Sequence, residues 1–377
     1  TEDPRVDYKV LEGWATQFYF GSDARLVFAP GYNPFTRHIL KLDGDLKLED
    51  TGYKTKPTMD DIDAAYEELL GHVFHDFPFN DADEGPGNGS RAHLIAMMLQ
   101  PLVRDIIQGS TPHYLVNKPS PATGASLMIS NAMRISVGQE PGTKSLPHNE
   151  DELKKTITAA LMDDERVIFY DNVNVKLESG HIANLATSPV WSDRFLGKSE
   201  ITSIPNNKLV IFSGNHVQGS GEIMRRFLPI YLDCKDDPRD PTRRFKIKDL
   251  KAYVDEHQKT LFGHLLNMVQ FWVNAGMPVW LDSQRLASFE CYCDVIGGIL
   301  ETCEIEGFLT NLHLVEGEGD RDRQSWTGFL GSLLAPPKFT MDKPMTKLLA
   351  AGAGVRVAEG MTLTADELAR GHPMAPP

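Results

Sequence analysis

The sequence predicts an α/β protein, on three observations. Between residues 111 and 235, apolar runs of strand length alternate with stretches of helical periodicity, as in a sheet covered by helices. The runs RVIFYDN and KLVIFS are almost continuously apolar, which favours buried strands. Polar residues stand at their ends, Asp171 on the first and Asn215 just beyond the second. The sequence therefore indicates a sheet with chemistry at the strand ends.

Composition fits a soluble globular chain large enough for two or three domains. The 377 residues are 41% hydrophobic and 24% charged. No apolar run reaches the ~18 residues of a membrane span, and TEDPRV at the start predicts no secretory leader. A net charge of −14 argues against a protein coated with nucleic acid, but a local basic surface such as a pore stays open.

The cysteines predict no disulfide framework. Four in so long a chain favour a reducing, cytoplasmic setting. Cys291 and Cys293 lie two apart in a helical stretch and should face different sides, and we expect buried thiols rather than a zinc site.

The element pattern divides the chain into five segments. We expect a β-rich segment (1–55), a helical subdomain (56–110), the α/β core (111–235), a helical region (236–335) and a small tail module (336–377). Thr58 is the expected cap of the first helix, and Asn149 that of a helix over Glu150–Met162. Beyond the core, separate helices are predicted over Lys248–His257, Thr260–Ala275 and Leu286–Thr302.

The stretch from Tyr114 to Met133 organises the core. A strand leads into a loop of small residues, PSPATGAS, and the loop opens a helix near Leu127. Backbone N–H groups in such a frame bind phosphate. Against the pattern G-x-x-x-x-G-K-[ST], Gly124 and Ser126 match, but Ala125 replaces the lysine and Pro119 the first glycine. An ordinary strand-to-helix turn is the alternative.

Three later positions fit a phosphate site. Asp171 would hold Mg²⁺ through water opposite the Ser126 hydroxyl. Asn215 could orient an attacking water, and Arg225 or Arg226 could reach a phosphate, in cis or from a neighbouring subunit. The alternatives are a capping acid and solvated or salt-bridged arginines. The order of these residues after the loop favours the functional interpretation.

With these motifs together, residues from about Gly31 to Trp326 resemble the AAA+ ATPases of phages and mobile elements that are related to superfamily 3 helicases and form the helicase part of primase–helicase replication proteins. The motifs that carry the resemblance are GYNP, HDFPF, PSPATGAS, VIFYDNVN, WSDRFLGKSE, IFSGNHV with MRRFLPIYLD, and IGGILE with GFLTN. The resemblance implies an AAA+ (P-loop NTPase) core between a β-rich and helical N-terminal region and a mainly helical C-terminal region.

The resemblance also implies a function. The chain would form a homo-oligomeric ring, a hexamer, that hydrolyses ATP with Mg²⁺ at subunit interfaces and moves along single-stranded DNA in a bacterial host cell. Asp171 and Asn172 would be the Walker B pair, Asn215 the sensor-1 residue, and one of Arg225 and Arg226 an arginine finger. ATP would be bound by Pro121, Ala122, Thr123, Gly124, Ala125, Ser126 and Leu127.

The DNA contact would come from a hairpin facing the pore. The resemblance assigns it to residues 194–208, with Lys198 the better candidate for a DNA phosphate and Arg194 the poorer one. A solvated loop lysine is the alternative for Lys198. The segment is short and lacks the basic tip that some relatives carry.

Ala125 is the largest departure from the family, whose members carry lysine there. The loss should cost about 2–4 kcal/mol of transition-state stabilisation, or about a hundred- to thousand-fold in rate. Either the lysine has been replaced to hold a resting state, or the chain is a natural member that only binds nucleotide or no longer binds it. Intact Asp171, Asn215 and Arg225-Arg226 favour the first. We therefore expect a nearly inactive helicase.

Two other functions remain open from the sequence. The chain could be a nucleotide-gated or structural ring that recruits a primase or polymerase, or an AAA+ loader that remodels a protein. ATPase activity of an Ala125→Lys variant separates the first from a helicase, and stimulation by a protein rather than by single-stranded DNA would indicate the second.

Overall fold

The computed structural model describes Leu11, Gly44 and residues 13–42, 46–79, 89–118, 123–194, 201–233, 244–282 and 285–314. All of them belong to one compact unit, residues 1–319.

The strands of this unit are β1 (Gly13–Ala15), β2 (Tyr19–Phe20), β3 (Leu26–Val27), β4 (Gly31–Tyr32), β5 (His38–Leu40), β6 (His113–Lys118), β7 (Thr143–Lys144), β8 (Val167–Val173), β9 (Val190–Arg194), β10 (Ile201–Pro205), β11 (Leu209–Asn215) and β12 (Phe227–Tyr231). The α-helices are α1 (Met59–Tyr66), α2 (Gly89–Val103), α3 (Ala125–Val137), α4 (Glu150–Met162), α5 (Gly180–Thr187), α6 (Gly221–Met224), α7 (Leu250–Asn274), α8 (Glu290–Tyr292) and α9 (Gly298–Thr302). Wider helical turns continue α1 over Glu67–Val73 and join α8 to α9 over Cys293–Gly297.

A parallel sheet of five described strands confirms the α/β class. Its order is β12–β6–β11–β8–β7, so β11 lies between two strands that precede it in the sequence. All carboxyl ends of a parallel sheet meet at one edge, where open α/β sheets bind ligands. The ends of β6, β8 and β11 therefore come together.

Each face of the sheet is covered by a separate apolar core. Tyr114 and Val116 of β6 pack on the face that carries α2, α3 and α7, whereas Leu115 packs on the opposite face with α4 and α5. The N-terminal strands and the helices that follow the sheet join the first of these cores. Because side chains alternate along a strand, alternate residues of β6 belong to different cores.

Most predicted elements are present, with bounds shifted by at most four residues. Thr58 and Asn149 begin their helices as expected: Thr58 forms a capping box with Asp61, and the Asn149 side chain accepts the Glu152 N–H. Helix α3 begins at Ala125 rather than near Leu127.

Some details differ from the predictions. The two helices expected over 248–275 are one unbroken helix, α7, whose Gln258 donates to the carbonyls of Arg134 and Ile135 on α3 (3.4 Å each). Gly31 and Tyr32 form β4 and pair with β5. Cys291 and Cys293 do face different sides, but only Cys293 is buried, because Cys291 lies on the exposed side of α8.

The last described residues return to the sheet through α2. His93 is fully buried, and its Nε2 accepts the Leu309 N–H (3.1 Å), so Nδ1 carries the proton donated to the Pro229 carbonyl (2.7 Å). The Asn311 amide donates to Ser90 Oγ (3.1 Å). We call Leu309–Asn311 with His93 and Ser90 the clasp.

Among the described helices, none is long and apolar enough to span a lipid bilayer.

Candidate functional site

Asp171 is the centre of the polar cluster at the carboxyl edge of the sheet. Its Oδ2 accepts the Ser126 hydroxyl from the start of α3 (2.9 Å). Its Oδ1 accepts the Ser213 hydroxyl of β11 (2.5 Å) and the backbone N–H of Asn172 (2.8 Å). The carboxylate is thus fixed between the helix and the neighbouring strand. The structure therefore brings Ser126 and Asp171 together, as the sequence predicted.

The N-terminus of α3 has the form of an anion site. Gly124 precedes it in the left-handed conformation (φ 88°) and supplies no side-chain cap. The first N–H groups of a helix have no partner within it, so those of Ala125, Ser126 and Leu127 are free to bind phosphate oxygens. The Thr123 hydroxyl is buried and has no hydrogen-bond partner in the part of the chain that the structure describes. An orphaned hydroxyl beside a helix of 13 residues fits a phosphate group.

Asn215 ends β11 at the same edge and is exposed. A bulge between β8 and β11 precedes it, where a Cβ on Gly214 would lie 2.4 Å from the Val173 carbonyl oxygen. Asn117, at the end of β6, holds the following turn by accepting the Val217 N–H at its Oδ1 (3.0 Å). The position of Asn215 therefore depends on a glycine and a buried asparagine.

The other predicted nucleotide residues lie around this edge. Asn172 is exposed and left-handed (φ 52°), a conformation that asparagine tolerates. Ala125 is 1% exposed, whereas Leu127 is half exposed. Pro121 and Ala122 lie outside the described residues.

Arg225 and Arg226 lie at the opposite, amino edge of the sheet. The Arg226 carbonyl accepts the N–H of His113, the first residue of β6. From there to the end of β6 the strand runs ~16 Å, beyond the reach of an arginine side chain, so neither guanidinium contacts the carboxyl edge of its own chain. Arg226 is paired with Glu222 and mostly buried, whereas Arg225 is exposed.

The predicted pore segment contains an antiparallel hairpin, β9–β10. Its base is fixed on α4, because Trp191 donates to Thr158 Oγ1 (2.9 Å) and Asp193 pairs with Lys154 (2.6 Å). Arg194 is the last residue of β9. Lys198 lies outside the described residues.

Sequence reasoning missed three site residues. Ser213 orients Asp171, Asn117 holds the turn after β11, and Lys118 ends β6 beside Asn215 with only 8% of its surface exposed. A signal was present, since all three are polar residues at the ends of otherwise apolar strands. Their partners are not visible in the sequence, because β11 is inserted between β6 and β8.

Among the described residues, no group of three or more His, Cys, Asp or Glu side chains could hold a metal ion. Mg²⁺ usually keeps several waters and binds through one or two carboxylates together with substrate phosphates. Ser126 and Asp171 fit that requirement, since each offers an oxygen at the edge where α3 begins.

Comparisons with known proteins leave the family open. No model of a known protein family matches the chain. A stretch of 53 residues, 14% of the chain, is 51% identical to a D-alanine–D-alanine ligase of Rhodopseudomonas palustris (strain BisA53), and the match spans 16% of that protein.

Solved structures resemble the chain at low identity. The apo A form of the NrS-1 C-terminal region matches 89% of this chain and 70% of its own, with 12% identity and a TM-score of 0.41. SCCmec type IV Cch, an active helicase, matches 93% and 66%, with 13% identity and a TM-score of 0.37. The JCV helicase matches 79% and 76%, with 14% identity and a TM-score of 0.28. Such TM-scores leave function undecided.

Proposed function

We propose that this chain is the ATP-binding subunit of a ring-shaped helicase or translocase of DNA replication that acts on single-stranded DNA, and that Ala125 makes its ATP hydrolysis slow. The observation that carries the proposal is the Ser126–Asp171 hydrogen bond at the start of α3, with Asn215 on the adjacent strand. A phosphate-binding helix end, a fixed carboxylate and a nearby exposed amide are the parts that hydrolysis of a nucleoside triphosphate needs.

Each group has a defined role. The free N–H groups of the first turn of α3 bind the phosphates, and Ser126 with Asp171 holds Mg²⁺, which when bound neutralises charge on the phosphates. Asn215 orients the water that attacks the γ-phosphate. Ser213 keeps Asp171 in position through its hydrogen bond.

The arginine finger acts in trans in this proposal, because the arginines lie at the far edge of the sheet from the site of their own chain. Arg225 is the better candidate, since Arg226 is paired with Glu222. Each ATP then binds between two subunits, which supports a ring and is compatible with a hexamer.

The hairpin β9–β10 would contact DNA with Lys198, and Arg194 would contribute less. Its base is bonded to α4, which packs against the same sheet face as α5. Movement of the sheet on hydrolysis could therefore reach the hairpin.

ATP hydrolysis by the unaltered chain and by Ala125→Lys, with and without single-stranded DNA, tests the function. We expect the lysine variant to be about a hundred- to thousand-fold faster, because it restores the charge that balances the β- and γ-phosphates, and we expect DNA to stimulate it. The control is a lysine placed elsewhere. Ala132 on α3 is unsuitable because its lysine variant would bury a charge in the core, whereas Ala183 on α5 is only partly buried. Ala183→Lys should hydrolyse ATP as slowly as the unaltered chain.

A silent Ala125→Lys variant that still binds ATP would contradict a helicase. It would favour a nucleotide-gated or structural ring that recruits a primase, polymerase or other protein, an alternative that Ala125 itself supports. If neither form binds nucleotide, the site is not an ATP site.

A further inference from the structure

Lys118 is a mostly buried lysine whose ammonium has no partner among the described residues. It is 8% exposed, and its Nζ makes no hydrogen bond or ion pair with any described residue. Its backbone is fully engaged, since the N–H donates to Asn117 Oδ1 (3.0 Å) and the carbonyl accepts the His216 N–H (3.0 Å). Most of the side chain is covered while the Nζ atom keeps contact with solvent, so the ammonium is accessible to an anion.

Lys118 lies where the phosphates would bind. It is the last residue of β6, and alternation along the strand puts it on the same face as Tyr114 and Val116, which share a core with α3. Its register partner on β11 is Asn215. Lys118 is thus on the α3 face, beside the proposed water-orienting residue and at the carboxyl edge.

A second polar group lies at the start of α3. The Thr123 hydroxyl, 4% exposed and without a hydrogen bond to any described residue, immediately precedes the Gly124 turn that opens α3. An ammonium on a mostly buried side chain and a buried hydroxyl therefore both lack partners among the described residues at the edge where α3 begins. A polyphosphate would satisfy these two donors and the first N–H groups of α3.

We propose that Lys118 binds the β- and γ-phosphates of a nucleoside triphosphate and so supplies, from the end of the strand, the cation that Ala125 leaves missing from the loop. This rests on the proposed nucleotide function and adds a binding residue to it. The point charge of a lysine suits phosphate without requiring one fixed geometry. Thr123 contributes a neutral hydrogen bond to the same group.

Binding of ATP, ADP and adenosine with Mg²⁺ to the unaltered chain, Lys118→Met, Lys118→Arg and Lys144→Met tests the inference. Lys144 is the matched control, because it is partly buried on β7, three strands and ~14 Å away, pairs with Glu165, and shares the opposite sheet face with Tyr170. We expect Lys118→Met to lower the affinity for ATP about ten- to hundred-fold and to leave the affinity for adenosine almost unchanged. Lys118→Arg should recover part of the affinity, and Lys144→Met should bind normally.

Two further measurements distinguish a phosphate-binding role of Lys118 from a purely structural one. Without nucleotide, the Tm of Lys118→Met should be no lower than that of the unaltered chain, because the substitution removes no side-chain hydrogen bond or ion pair with a described residue. In the Ala125→Lys background, Lys118→Met should lower the affinity for ATP by a smaller factor, because the lysine introduced in the loop would also contact the phosphates. A lower Tm with an unchanged ATP-to-adenosine ratio would overturn the inference.

The two proposals fail in different ways. If the unaltered chain binds ATP and Lys118→Met binds it equally well, Lys118 has no such role and the nucleotide function stands. If the unaltered chain binds no nucleotide, the proposed function fails, and the inference with it.

Discussion

The two edges of the central sheet bury similar residues and treat them differently. At the amino edge, Lys208 donates to the Ala160 carbonyl (2.7 Å) and to that of Asp163, and so completes the C-terminus of α4. Arg104, also there, donates to three carbonyls: those of Ile107, Gly109 and Asn206. At the carboxyl edge, Lys118 and Thr123 have no such partners among the described residues.

This difference separates structural cations from binding ones. A cation that donates to several backbone carbonyls stabilises the fold, whereas one without a protein partner is available to a ligand. Burial alone does not distinguish the two, since Lys118 and Lys208 are both 8% exposed. Substitution of Lys208 should therefore lower the free energy of unfolding, whereas substitution of Lys118 should not.

The largest expected effect is the loss of hydrolysis in Asp171→Asn, made in the Ala125→Lys background. The amide nitrogen cannot accept the hydroxyl of Ser126 or Ser213, and the charge that would hold Mg²⁺ is gone, so the rate should fall about a hundred-fold or more. Asp163→Asn at the amino edge should keep the rate. Equal rates for the two variants would remove Asp171 from the site.

Next is Gly214→Ala, which should distort the carboxyl edge. The added Cβ would lie 2.4 Å from the Val173 carbonyl oxygen, so backbone must move, and we expect a loss of about 2–3 kcal/mol in the free energy of unfolding. Gly221→Ala is the control, because no atom lies within 4 Å of its Cβ. Urea denaturation measures both, and an undisturbed Gly214→Ala would show that the bulge accepts a side chain.

Lys208→Met, set beside Lys118→Met, compares the same substitution at the two edges of the sheet. It leaves two carbonyls at the end of α4 without their donor, so the free energy of unfolding should fall by about 1–2 kcal/mol. Lys118→Met should cause no such fall. Should both substitutions destabilise the chain alike, the distinction between the two edges would be lost.

The smallest expected effect is a change in pH dependence through His113, at the start of β6. Burial above all, with a smaller contribution from Arg226, lowers its pKa to about 4. Between about pH 6.5 and pH 4 the unfolded chain is protonated at this histidine and the folded chain is not. The free energy of unfolding therefore falls as the pH drops through this range.

His113→Phe should reduce that fall, since a phenyl ring fits beside Phe212 and Phe227, whose centroids lie 5.6 and 5.4 Å from the imidazole. Burial also lowers the pKa of His93 to about 4, so part of the fall should persist. Tm values of the two proteins between pH 7 and pH 4 measure how much of the loss of stability comes from His113 and how much persists without it. An unchanged pH profile in His113→Phe would assign the whole dependence to other groups.

The strands and helices of the core were predictable because their signals are local. Continuous apolar runs located β8 and β11, and caps located α1 and α4. The continuity of α7 was not predicted, because its packing against α3 joins residues far apart in the sequence, as the Gln258–Arg134 contact shows.

The candidate site was predictable in part. Ser126, Asp171 and Asn215 stand out because polar residues follow a small-residue loop and apolar strands. Lys118 does not, because its isolation depends on which strands lie beside β6 and on what α3 covers. Strand order and burial are properties of the whole fold, and no local pattern encodes them.

The clasp has a consequence for how this chain can be shortened. A fragment that ends at residue 235, the predicted end of the core, would lack Leu309 and Asn311 and would leave the Nε2 lone pair of His93 without its donor. The α3 face of the sheet would also lose α7. Expression trials should therefore keep the chain to at least residue 314, because residues that follow the central sheet in the sequence cover part of its α3 face.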